Sequence, residues 1–123
     1  MKKHLLIICL ILLGLSSCEK EQYSVEKFKS GVFEIPATDR YSKTEIIRND
    51  SLQIEYYEDR VDSLRIVWLS NFKYDLIPVQ IENAPEEEII HVRIKKIRAN
   101  EYDFEAKIGI SNFTSKATLI KIK

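Results

Sequence analysis

From Phe28 onward the chain alternates apolar and polar positions in short runs rich in Ile, Val, Tyr, Phe and Thr, and little of it repeats every 3.6 residues. Successive side chains of a strand point to opposite faces, so a period of two is the mark of a half-buried strand. The pattern predicts an all-β domain. The runs Gly31 to Ile35, Lys43 to Arg48, Leu52 to Tyr57, Leu64 to Leu69, Lys73 to Ile81, Ile89 to Arg98, Tyr102 to Ile110 and Lys116 to Ile122 give about eight strands. The links are short, which favours an antiparallel meander closed into a small barrel or folded as a sandwich. Asn83 to Glu88 is the one long polar link, and Pro85 followed by three glutamates suits a single helical turn.

Two hairpins can be placed in register. A three-residue loop at Asp59-Arg60-Val61 sets Leu52 opposite Trp68, Ile54 opposite Ile66 and Tyr56 opposite Leu64 on one apolar face, with Glu55 opposite Arg65 on the other. In the second hairpin a turn at Asn100-Glu101 pairs Arg98 with Asp103, Ile97 with Phe104 and Lys96 with Glu105. A bulge at Lys95-Lys96 then restores the apolar phase, so that Ile94 meets Ala106, Val92 meets Ile108 and Ile90 meets Ile110. The basic residues Lys96 and Arg98 therefore face carboxylates, which argues for a charge-paired outer wall and against a nucleic-acid surface.

Residues 1–17 have the layout of a secretory signal: Lys2 and Lys3, an apolar stretch from Leu5 to Leu13, and small residues before Cys18. The apolar stretch is shorter than the ~20 residues of a spanning helix. The tetrad Leu15-Ser16-Ser17-Cys18 resembles the lipobox of bacterial lipoproteins, which implies removal of 1–17 and lipidation, palmitate included, at Cys18. Two or three acyl chains hold a protein stably to a bilayer. Glu19 after the cysteine points to the outer membrane of the cell envelope. The expected organisation is a removed signal (1–17), a polar lipidated tether (18–27) and a single β domain (28–123).

Removing 17 residues from 123 leaves 106, enough for one domain. The remaining chain carries 17 basic against 19 acidic residues, and this balance offers no field to steer nucleic acid. Cys9 leaves with the signal and Cys18 becomes a thioether, so the domain is held by packing without a disulfide. His91 is the one histidine left after processing, in mid-strand. There is no Cys/His spacing for zinc, no calcium loop and no glycine-rich phosphate loop. No cofactor or metal is expected, and the chain reads as non-enzymatic. Asp59 with Asp62, and Glu86 to Glu88, are turn and solvated positions.

Two functional readings follow. Val67, Leu69 and Tyr57 fall on the face opposite the apolar ladder and form a candidate partner surface, consistent with an interaction or structural module meeting an envelope protein. Alternatively Tyr56, Trp68, Tyr74, Tyr102 and Phe104 line a lipocalin-like interior that takes a small apolar ligand; the simpler role for the same five rings is core packing. Oligomeric state is not legible in the sequence.

The body resembles a family of small lipoproteins from Bacteroidetes that commonly carry the label DNA topoisomerase IV. The resemblance rests on Phe28-Lys29-Ser30-Gly31 with Phe33, on Arg48 to Glu55, on Asp62-Ser63 with Ile66 and Trp68, and on Tyr102-Asp103-Phe104-Glu105, and it covers nearly the whole mature chain. It implies the same fold and location and assigns no active residue. Cleavage of DNA by a topoisomerase requires a far larger multidomain scaffold, so the label does not describe this chemistry. Members commonly carry cysteines where this chain has Val25 and Phe72, which implies that those two side chains lie side by side.

Overall fold

The computed structural model describes residues 23–123; the predicted signal, Cys18 and the first half of the predicted tether lie outside the described residues. Eight antiparallel strands follow one another as a meander and close into a barrel: β1 (Gly31–Ile35), β2 (Thr44–Arg48), β3 (Leu52–Tyr57), β4 (Arg60–Ser70), β5 (Lys73–Pro78), β6 (Ile90–Ile97), β7 (Glu101–Ile108) and β8 (Ser115–Lys121). Closure is made by β1 against β8, with Phe33 opposite Lys121 and Glu34 opposite Ile120. A closed barrel has no free sheet edge, which removes the sandwich alternative and the hazard of edge-to-edge pairing.

One 3₁₀ turn (Glu26–Phe28) precedes β1 and plugs one end of the barrel. Packing begins at Val25, within the stretch read as tether, and Val25 and Phe28 both belong to the core. Phe28 is fully buried, with its ring edge-on to Tyr102 at 5.1 Å and tilted against Phe33 at 6.4 Å. Burying a side chain of this size contributes about 1.5–3 kcal/mol. The plug is also tied by its backbone: Lys121 Nζ donates to the carbonyls of Lys27 and Ser30, and Lys27 Nζ to those of Ala99 and the Asn100 side chain.

The second 3₁₀ turn (Glu86–Glu88) follows Pro85, as the sequence predicts. It rests on Gly109, whose φ of 58° favours glycine and where a Cβ would come within 2.9 Å of Glu87 Cα.

The first hairpin departs from its expected register. A two-residue turn at Glu58-Asp59, with Glu58 at φ 53°, replaces the three-residue loop. Leu52 then faces Arg65, Gln53 faces Leu64, Ile54 faces Ser63 and Glu55 faces Asp62. A slip of an odd number of residues exchanges the two faces of a strand. Gln53, Glu55 and Tyr57 consequently turn inward, while Leu52, Ile54 and Tyr56 turn outward. The neighbouring strand supplies the reason: Arg48 points inward beside Ile46, and the polar face of β3 gives its Nε an acceptor in Gln53 that the apolar face lacks.

The second hairpin keeps the predicted bulge, between Ile94 and Lys96, but pairs two residues out of the expected register. Ile97 faces Tyr102, Lys96 faces Asp103, Val92 faces Ala106 and Ile90 faces Ile108. An even slip leaves every side chain on its predicted face. Arg98 still reaches Asp103, with Nη1 donating to Oδ2 at 2.9 Å, and this pairing lowers the Asp103 pKa to about 2.

Candidate functional site

The inward face of the barrel divides into two layers. Next to the plug, Arg48, Gln53, Tyr74 and Tyr102 are buried and joined by hydrogen bonds. Arg48 Nε donates to Gln53 Oε1 at 2.9 Å, its Nη1 to the Phe28 carbonyl at 2.9 Å and to Tyr102 Oη at 3.2 Å, and its Nη2 to Tyr74 Oη at 3.3 Å. The two tyrosine hydroxyls share a hydrogen bond of 2.6 Å. Burial raises the Tyr102 pKa well above its usual value, so the phenol stays neutral. The guanidinium also stacks over the rings of Phe33 and Tyr74, near 5 Å from each centroid.

Among the described residues no carboxylate lies at ion-pair distance from the buried Arg48 cation, which is held by neutral acceptors. Charge balance comes at one remove: Gln53, which accepts from Arg48, donates through Nε2 to Glu55 Oε1 at 2.7 Å. Burial raises the Glu55 pKa, helped by the Asp62 carboxylate across the ladder, while the Gln53 hydrogen bond and Arg48 oppose the rise. The result is a relay, Arg48 to Gln53 to Glu55, that runs from the plug toward the middle of the barrel.

Above the relay lies a cavity of about 130 Å³. Its walls are Ile35, Ile46, Leu76, Ile90, Val92, Phe104, Ala106 and Leu119, and its polar lining is Arg48, Gln53, Glu55 and Tyr74. Lining residues near the plug are buried, whereas Ile35, Ile90 and Ala106 at the other end are half-buried. The cavity therefore opens at the end away from the 3₁₀ plug.

Of the five aromatics predicted to line the interior, Tyr74 and Phe104 reach the cavity. Tyr102 lies below it, in the hydrogen-bonded floor. Trp68 packs on Tyr74 at 4.7 Å beneath Lys29, off the cavity, and its buried Nε1 has no hydrogen-bond partner among the described residues. Tyr56 is a correction: the slipped register places it on the outer wall opposite Val61. The residues that sequence reasoning missed are Arg48, Gln53 and Glu55. Their signal was the polar phase of β3, which matched the inward phase of β2 at Ile46 and lost out to the apolar Leu52-Ile54-Tyr56 series.

The predicted outer surface divides likewise. Val67 and Leu69 are exposed on the outer wall, and Leu69 occupies a bulge between Trp68 and Ser70. Tyr57 is the second correction: it shares the inward phase of Gln53 and Glu55, is half-buried, and accepts a hydrogen bond from the Ser42 amide. Leu69 borders an outer groove of about 270 Å³ with Lys73, Asp75, His91, Arg93, Glu105 and Lys107 among its other walls. Phe72 is exposed in the β4–β5 turn at the plugged end, the end at which Val25 is buried.

His91 also faces outward. Its Nδ1 is 2.7 Å from Asp75 Oδ1 on β5, and its Nε2 meets Glu86 of the second 3₁₀ turn. These two carboxylates raise the His91 pKa. The imidazole straps the 3₁₀ turn to the wall. Among the described residues, no group of three His, Cys, Asp or Glu side chains is arranged to hold a metal ion. No family model, curated protein or solved structure matches the chain.

Proposed function

We propose that this chain is a non-enzymatic envelope lipoprotein, anchored through Cys18, whose barrel binds a small molecule in its interior. The observation that carries the reading is the cavity, enclosed by the barrel wall, lined by eight apolar side chains and open at one end. Its volume of about 130 Å³ is close to that of cavities, of order 150 Å³, that take up one benzene ring. The guest is a single small ring or a short chain, and a long acyl chain does not fit. The mouth of the cavity lies at the end away from the Glu26–Phe28 plug, which leaves that end free to exchange a guest.

The outer groove beside Leu69 supports the second reading, an interaction module with a protein partner in the envelope. It is larger than the interior cavity, but charged side chains dominate its walls and water reaches them. An exposed charged lining gives less desolvation to drive binding than an apolar enclosure.

Native mass spectrometry on full-length protein, extracted in mild detergent from its own envelope, separates the two. A mass excess on the order of 100 daltons beyond the lipidated chain is the expected result; a guest of this size follows from the cavity. A stoichiometric second chain with an empty interior would favour the groove. A bare lipoprotein with no guest and no partner contradicts both readings.

A further inference from the structure

We propose that the interior site selects neutral small molecules that carry one hydrogen-bond donor, held with that donor on the Glu55 carboxylate. The inference rests on the reading of the cavity as a binding site and names what it accepts.

Among the described residues, Glu55 is the one residue lining the cavity with a side-chain oxygen that receives no hydrogen bond. Arg48 uses Nε, Nη1 and Nη2 on Gln53, Phe28, Tyr102 and Tyr74. Gln53 accepts from Arg48 and donates to Glu55. The Tyr74 hydroxyl is shared between Tyr102 and Arg48. A carboxylate has room for about four hydrogen bonds. Among the described residues Glu55 receives one, from Gln53 to Oε1, which leaves Oε2 as the free acceptor in a chamber whose other walls are mostly apolar. A guest that fills the chamber strips water from that oxygen, and a guest without a donor leaves it unsatisfied, which is the costly outcome for a buried acceptor.

Charge decides the rest. The Arg48 cation and the Glu55 anion balance through Gln53, so a neutral guest preserves the balance. An anionic guest meets the Glu55 carboxylate directly and Asp62 beside it, since the two are ladder partners. A cationic guest pairs with Glu55 but takes from Arg48 the counter-charge relayed through Gln53, in a place that water does not reach. The accepted class is therefore a small alcohol, phenol or N–H heterocycle; carboxylates are refused although an arginine lies in the floor.

The test uses phenol, toluene and benzoate, which share one ring and differ in the donor and the charge. Each is titrated near pH 7.5 into full-length wild-type protein in detergent, and affinity is read from amide and Gln53 side-chain shifts in nitrogen-correlated NMR spectra. Phenol is expected to bind at least about tenfold more tightly than toluene, the scale of one hydrogen bond to a charged acceptor, and benzoate not at all. In Glu55→Met the phenol advantage disappears while toluene still enters. Equal affinity for phenol and toluene in the wild type, or benzoate as the tightest guest, overturns the proposed selectivity while leaving a binding cavity. If none of the three moves a cavity resonance, the binding reading itself fails.

Discussion

The plugged and open ends of the barrel are made by the same eight strands and differ in what fills them. At the plugged end Phe28, Phe33 and Tyr102 are fully buried, and the buried Arg48 has all three guanidinium nitrogens hydrogen-bonded. Toward the open end Ile35, Ile90 and Ala106 are half-buried around the cavity, and Glu55 beneath them has one oxygen that receives no hydrogen bond among the described residues. Close packing is worth most where it is complete, and a cavity costs stability in proportion to its size. The contrast places close packing at one end and a cavity at the other.

The largest effect should come from the plug. Phe28→Ala removes a fully buried ring and its contacts with Phe33 and Tyr102, and is expected to cost about 3–5 kcal/mol in urea unfolding. A loss near that of an exposed site, under about 0.5 kcal/mol, would dissolve the distinction between the ends.

The smallest effect belongs to the strap near the open end. Asp75 and Glu86 raise the His91 pKa, so the strap stabilises the fold fully below the unfolded value of 6.5 and loses that contribution as pH rises through the folded value. Lys107, the ladder partner of His91, and the groove residues Lys73 and Arg93 set a positive background against the imidazolium, and Glu105 partly offsets it. The His91 side chain is 37 % exposed, so solvent screening keeps the effect under about 1 kcal/mol. Melting curves on both sides of this range should show His91→Gln to be less pH-sensitive than the wild type. An equal pH dependence in the variant would remove the strap from the account.

Strand number, order and the position of the β6 bulge were legible because each rests on local pattern: alternation in the runs, short polar links, and one break of phase at Lys95. Register was not. In β6 and β7 the apolar residues occupy one phase, so a slip of two left the core intact. In β3 both phases were plausible, since Leu52, Ile54 and Tyr56 form an apolar series and Gln53 and Glu55 a polar one. The decision was made by Arg48, a partner that arrives from the neighbouring strand and that no pattern within β3 announces. For the same reason the polar part of the candidate site escaped sequence reasoning: the apolar series of β3 took the interior and left Glu55 on the opposite face, where polar strand positions usually lie.

The most direct test of this arrangement is the titration of the Glu55 carboxyl, followed by its side-chain carbon shift in full-length protein. If β3 turns Gln53 and Glu55 inward, burial holds the carboxyl above the usual 4.5, and stability declines as pH climbs from 4.5 through the folded value. A value at or below 4.5 would place Glu55 in solvent, restore the Leu52-Ile54-Tyr56 face to the interior and contradict the site described above.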